Sequence, residues 1–181
     1  MMGKYLDLLL AFSKKERSFL FRLVSLLLGA ILFLGIAPLI LINFAAILST
    51  PIGIDWPRPV EILVVFMSTI VGLIFLIWSV VSQWLIGKGT PAPVAPTQTL
   101  IVVGPYKLCR NPIQLGVILY YLGLGTLWNS LTTGLICFLI ALIIGSLYHR
   151  FVEEKELLLR FGDDYKKYRE RTPFLIPRFR R

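Results

Sequence analysis

The sequence predicts an all-α fold: a polytopic integral membrane helical bundle of about four transmembrane helices, followed by a C-terminal amphipathic cytoplasmic helix. Three observations predict it. Of the 181 residues, 56% are hydrophobic and only 16% are charged, against roughly 25% charged in an ordinary soluble domain, and the mean hydropathy is +0.77. The charges sit in blocks between long apolar runs. Those blocks are basic, with 19 Lys and Arg against 10 Asp and Glu. Too little polar surface remains to coat a soluble globule, which excludes that class. A net charge of +9 suits loops facing an anionic leaflet, so membrane lipids are the expected partners and nucleic acid is not. Cys109 and Cys137 give neither a disulfide framework nor a metal spacing. Residues 1–17 mix charged and apolar side chains before an apolar stretch longer than an h-region, so no cleaved signal peptide is expected.

The first apolar run covers residues 18–50, broken only by Arg22 and Pro38. As one helix it rises about 50 Å, more than a hydrocarbon core of about 30 Å but too short for two spans. One tilted helix, kinked near Pro38, is the economical solution. Residues 60–86 form a second span. Residues 112–128 form a short third span bearing Gly116, Gly123 and Gly125, which permit close helix packing. An Asn129-Ser130 turn leads to the fourth, residues 131–148. Trp56, Trp84 and Trp128 lie near span ends as expected of interfacial anchors. Loop charge supports the count. With both termini cytoplasmic, 18 of the 19 basic residues fall on the inner side and only Arg58 falls outside, as the positive-inside rule requires. The length is that of one domain, divided into a membrane region, residues 1–86, and a second region, residues 87–181.

Residues 87–110 are too polar and proline-rich for a span. Pro91, Pro93, Pro96 and Pro105 remove backbone donors and fix φ. A loop this long without regular structure is often functional. It ends in GPYKLCRNP, residues 104–112, where Gly104-Pro105 makes a turn and Pro112 opens the third span. Asn111 falls at the N-cap. Free amides, the positive end of a helix dipole and Arg110 would there suit a carboxylate or phosphate. After span four, His149, Glu153 and Glu156 share a helical face, with Glu154 one position round. Leu157, Leu158 and Phe161 form an apolar stripe that Gly162 ends. Tyr165, Tyr168, Phe174, Ile176 and Phe179 read as an amphipathic tail at the membrane interface. Adjacent carboxylates at the mouth of a span are costly unless paired.

GPYKLCRNPIQLG, followed one hydrophobic hairpin later by EEKELLLRFGDDYKKYRERTPFLIPRF with its FG-x-x-Y-x-x-Y ending, resembles the isoprenylcysteine carboxyl methyltransferase family. That family is similar in turn to the membrane phospholipid N-methyltransferases. The resemblance covers about residues 87–179 and makes residues 87–181 a methyltransferase-like region. It implies an integral membrane, multi-pass enzyme using S-adenosyl-L-methionine, with a lipophilic substrate entering from the bilayer and no metal. Carried over by position, the implied cofactor set is Gln98, Thr99, Leu100, Ile101, Gly104, Tyr106, Asn111, Pro112, Ile113, Gln114, Glu153 and Glu154. The implied catalytic set is Arg110 with His149 and Arg150, one of which orients the acceptor. Where the family commonly reads R-H-P-x-Y, this chain has Arg110, Asn111, Pro112, Ile113 and Gln114. An asparagine amide cannot act as a general base.

The implied chemistry is in-line displacement at a methyl group, with alignment and exclusion of water as the protein's contribution. Phospholipid amines and small thiols are alternative acceptors. A sterol-type NADPH reductase is a rival enzyme, though such proteins are longer with more spans. A non-catalytic membrane protein with a basic tail is the rival outside enzymes. A transporter fits poorly, because the spans carry almost no intramembrane charge.

Overall fold

The computed structural model describes Asp7, residues 10–12 and residues 17–178; Lys4, Lys14, Lys15 and Phe179 lie outside the described residues. Among the described residues all regular secondary structure is helical, with no strand. Helix α1 spans Phe19–Ala30 and runs through a π-helical segment, Ile31–Ile36, into α2, Ala37–Ser49, closed by a 3-10 turn at Thr50–Ile52. Then follow α3, Arg58–Leu85; α4, a single turn at Pro105–Leu108; α5, Pro112–Trp128; and α6, Leu131–Tyr148. A second π-helical segment, His149–Glu153, leads into α7, Glu154–Arg171.

Three helical stretches are long and apolar enough to cross a membrane: Phe19–Ile52, Arg58–Leu85, and the run that begins with α6. Helix α5 is apolar but has only 17 residues, about 25 Å of rise. Exposed side chains such as Leu32, Ile40, Ile47, Phe66, Ile74 and Ile143 give these helices the surface that lipid, not water, accommodates.

The chain forms two compact units, each drawing on separate stretches of sequence. One comprises Ile31–Leu76 and Ile113–Gly145. Its core is Ile42, Ala45, Tyr121 and Cys137, and glycines set its helix spacing. A Cβ on Gly116 would lie 2.6 Å from Leu76 Cγ and 2.8 Å from the Gly72 carbonyl, and one on Gly125 would lie 2.8 Å from Gly134 Cα. Gly116 and Gly125 are therefore packing positions, as small residues in membrane helices usually are. The turn before α6 is capped twice. Ser130 Oγ accepts from Thr133 N, and Glu61 Oε1 accepts from Leu131 N at 3.0 Å, which satisfies orphan donors of the first turn. Trp56, read as an interfacial anchor, donates its indole N–H to Thr132 Oγ1 at 2.9 Å.

The irregularity expected near Pro38 is the π-helical segment just before it. Proline has no N–H, so it orphans the carbonyl of Leu34 in an α ladder and of Phe33 in a π ladder. Both carbonyls are met from α5: Tyr120 Oη donates to Leu34 O at 3.1 Å and Tyr121 Oη to Phe33 O at 2.7 Å. Lipid supplies no substitute partner.

The other unit comprises the residues through Ala30, Ile77–Pro112 and the residues from Ser146 on. Arg22, the one charge inside the first apolar run, is explained here. Its guanidinium donates to Trp84 O at 2.6 Å and Gly89 O at 3.4 Å, and stacks 4.2 Å over the Trp84 ring. It thus covers carbonyls at the end of α3, where a cation also meets the dipole favourably.

These contacts predict a coupling. Tyr120→Phe leaves the Leu34 carbonyl unpaired and should cost about 1–3 kcal/mol. Pro38→Ala restores an N–H to the ladder, so the same change in that background should cost markedly less in detergent unfolding.

Candidate functional site

The site is built wholly within the second of these units, from the end of α3, the loop of residues 86–104, the α4 turn and α7. The loop has no regular structure, as its prolines dictate. It is pinned by Gln98 N to Gly87 O (2.6 Å), Gly89 N to Gln83 O (3.0 Å) and Thr99 Oγ1 to Ile86 O (3.0 Å). At its end Gly104 takes φ +61°, ψ −133°, a conformation strained for any residue with a Cβ. Pro105 then starts α4.

Helix α7 is broken once, at Gly162 with φ +52°, where the apolar stripe was expected to stop. The chain resumes as helix and carries Tyr165 and Tyr168 inward. This corrects the expectation of an interfacial tail: Tyr165 is 1% exposed, and both tyrosines pack with Ile101 and Tyr106 in a buried cluster. Tyr168 Oη donates to Tyr106 O at 2.6 Å, and Tyr106 Oη accepts from Gln83 Nε2 at 2.7 Å. Of that tail, Ile176 remains exposed, and Phe174 lies under the Arg110 guanidinium at 5.7 Å.

The start of α5 is also corrected. The two amides just before the helix are not free for an anion: Arg110 N donates to Pro173 O at 2.9 Å and Asn111 N to Phe174 O at 3.2 Å. Asn111 does precede the helix, but its side chain donates as well, to Phe174 O at 2.9 Å. Arg178 N to Leu108 O, at 3.0 Å, completes a strap of residues 172–178 laid along the GPYKLCRNP motif.

A cavity of about 50 Å³ lies inside this unit. It is lined by Gln83 from α3, by Thr97, Leu100 and Ile101 from the loop, by Tyr106, Arg110 and Asn111 of the motif, and by Glu153, Leu157, Phe161, Tyr165 and Tyr168. Among the sequence-derived candidates, Leu100, Ile101, Tyr106, Arg110, Asn111 and Glu153 therefore line one cavity. The others do not reach it. Gln98 turns to Pro96 O and Thr99 to Ile86 O, while Gly104 backs onto Trp78 and Pro112 is buried at the helix start. Ile113 and Gln114 belong to the other compact unit. Glu154 pairs with Arg110 at 2.9 Å, His149 contacts Glu153, and Arg150 lines a separate open cleft.

Two residues of the site escaped the sequence reading. Gln83 presents a buried Oε1 with no partner among the described residues. Arg160 donates to Glu156 at 2.8 Å and to the carbonyl of Thr97, tying α7 to the loop. The polar interruption at the end of an apolar helix was the available signal for Gln83, and the i, i+4 spacing from Glu156 was that for Arg160.

Charge in the site is paired. Burial opposes ionisation of Glu153, but the His149 contact and the charge of Arg160 hold its carboxyl below the ordinary value of 4.5. For His149, burial works against the charged form, and Glu153 outweighs it, raising the imidazole above 6.5. Burial, then the Glu153 charge, push the Tyr106 phenol well above 10. Burial drives the Cys109 thiol up to about 11, which leaves it neutral and unreactive.

An all-helical chain with membrane-length apolar helices and this paired-charge cavity has the build of a membrane-embedded enzyme. The profile of the phospholipid methyltransferase family matches residues 60–164, and the chain belongs to that family; with its three long apolar helices it is an integral membrane protein. It is 32% identical over 99 residues to methanethiol S-methyltransferase 1 of Bradyrhizobium diazoefficiens, covering 54% of this chain and 31% of that protein. It is 35% identical over 75 residues to methanethiol S-methyltransferase 2 of the same organism, covering 40% of this chain and 27% of the relative. A third relative is the cobalt-zinc-cadmium resistance protein CzcN of Cupriavidus metallidurans, 32% identical over 81 residues, covering 44% and 36% of the two chains. The matched segment thus spans about a third of the length of these relatives. No solved structure matches the chain.

The His149–Glu153 pair predicts a pH window. The histidine's contribution is complete below its ordinary value of 6.5 and is lost as pH rises through its raised value. The carboxylate's is complete above 4.5 and is lost as pH falls through its lowered value. The destabilisation by His149→Gln, on the order of 1 kcal/mol for a part-exposed pair, should peak between about pH 4.5 and 6.5 in thermal melts and shrink on either side.

Proposed function

We propose that the protein is an S-adenosyl-L-methionine-dependent membrane methyltransferase acting on a lipophilic acceptor, with both termini on the cytoplasmic side. The observation that carries this reading is the meeting of Glu153, the unpartnered Gln83 Oε1 and aromatic walls in one buried cavity of a chain belonging to this family. These residues fit the group. An ionised carboxylate balances a sulfonium or ammonium, an amide oxygen accepts from a hydroxyl or amine, and Tyr106, Phe161 and Leu157 supply apolar contact for a base. When bound, the cofactor supplies an electrophilic methyl group on a positively charged sulfur.

The chain's own residues then have distinct tasks. His149 and Arg160 keep Glu153 ionised. Arg110, whose Nε lacks a partner among the described residues, meets the anionic end of the ligand. The cavity is far below the 300 Å³ or so that nucleoside-sized ligands occupy. Binding therefore moves part of the wall, and the loop tied to α7 by the Arg160–Thr97 contact, which has no regular structure, is the part that moves.

For the acceptor, the site favours a group already anionic at neutral pH, such as the carboxylate of an isoprenylcysteine. Glu153 is too acidic to serve as base, His149 is engaged with Glu153 and raised by it, Asn111 cannot titrate and Cys109 stays neutral. A carboxylate needs no base. A thiol is the second reading, supported by the names of two relatives, and would rely on its own ionisation.

In detergent, S-adenosylhomocysteine should raise the melting temperature and NADPH should not. Glu153→Ala should weaken that ligand at least about tenfold. Stabilisation by NADPH alone, or undiminished binding by the variant, would overturn the reading. With labelled cofactor, methylation of a prenylcysteine carboxylate should change less than about twofold across neutral pH. A thiol acceptor should instead show a rate climbing about tenfold per unit toward its pKa near 8.5.

A further inference from the structure

We propose that a second site, outside the cavity, binds the headgroup of an anionic phospholipid at the membrane interface. An open cleft of about 310 Å³ is lined by Arg150, Phe151, Glu154, Lys155, Leu158 and Arg169. None of these residues lines the buried cavity. Glu154 is already neutralised by Arg110 at 2.9 Å. Three cations, Arg150, Lys155 and Arg169, therefore face the cleft, and among the described residues none of them pairs with a carboxylate. Like charges gathered in one concavity repel, and an anion entering it relieves that repulsion. Arginine forks and a lysine ammonium together match a phosphate diester.

The apolar part of the lining distinguishes a lipid from a free anion. Phe151 and Lys155 are four residues apart, and Arg150, Glu154 and Leu158 follow the same spacing, so charged heads and apolar bodies alternate along one helical face. Phe151 is 51% exposed, and the exposed Leu147 and Tyr148 precede it at the end of α6. The cleft thus opens where the apolar length of α6 gives way to charge, the depth at which phosphates of a bilayer lie. A free phosphate would meet the cations and gain nothing from Phe151 and Leu158. A phospholipid satisfies both.

The test uses the full chain purified in detergent, with dioleoyl phosphatidylglycerol, dioleoyl phosphatidylcholine or inorganic phosphate as the probe. Native mass spectrometry should show phosphatidylglycerol retained over phosphatidylcholine, and phosphatidylglycerol alone should raise the melting temperature. The double variant Lys155→Gln/Arg169→Gln should retain about tenfold less of it, with stabilisation by S-adenosylhomocysteine unchanged. That last readout separates failure of the lipid site from failure of the cofactor reading. The exposed-site variant Lys155→Gln alone should show a loss of about threefold and serves if the double variant does not fold. Equal retention of the two lipids, undiminished retention by the variants, or equal stabilisation by inorganic phosphate would overturn the proposal.

Discussion

Every peptide unit in a chain this apolar must find a hydrogen-bond partner inside the protein, because lipid offers none and a buried orphan costs several kcal/mol. That requirement accounts for most of the polar side chains retained in the helices. Tyr120 and Tyr121 answer the carbonyls that Pro38 strands. Ser130 and Glu61 answer the first amides of α6, and Arg22 answers carbonyls at and beyond the end of α3. The same requirement explains the C-terminal strap: residues 173, 174 and 178 exchange backbone bonds with 110, 111 and 108. The GPYKLCRNP motif, whose only regular structure before Pro112 is the single turn α4, is thereby held in place.

Side-chain charge follows a parallel rule. Each acid of the EEKE segment has a basic partner: Glu153 with His149, Glu154 with Arg110, and Glu156 with Arg160. Burial opposes ionisation of Glu153 and Glu156, and it raises Glu156. Glu153, with two positive neighbours, falls below its ordinary value. The carboxylate that reaches the cavity is thus the one the surroundings keep charged. The pairing thus leaves no free carboxylate among the three acids of the segment.

Much of the fold was legible because its boundaries are chemical. Pro112 can only open a helix, Asn129-Ser130 favours a turn and a cap, and Gly162 takes a positive φ; the helices start, stop and break at those residues. The tail was misread for a physical reason. Periodic tyrosines followed by basic residues look the same whether the aromatic face meets lipid or protein, and only the tertiary contacts with Ile101 and Tyr106 distinguish the two. The amides of Arg110 and Asn111, just before α5, looked available because their partners lie more than sixty residues away. Arg160 was hidden among ten C-terminal basic residues that positive-inside topology explains collectively. Gln83 was hidden because a glutamine in the last turn of an apolar helix is equally at home at an interface.

The loop that lines the cavity combines two properties usually opposed. It lacks regular secondary structure, and a handful of bonds tie it to the rest of the unit: Arg160 to Thr97, Gln98 to Gly87, Gly89 to Gln83, Thr99 to Ile86 and Arg22 to Gly89. Yet Pro91, Pro93 and Pro96 restrict its backbone in any open state, so little conformational entropy is surrendered when it closes again. A glycine-rich loop of the same length would open as readily but would pay far more to reclose. Its glycines lie only near its two ends, with Gly87 and Gly89 packed against Thr97 at the first and Gly104 at the second. A proline-stiffened segment, packed closely at Gly87 and Gly89 and tied to α7 by Arg160, is thereby held against the cavity without secondary structure of its own.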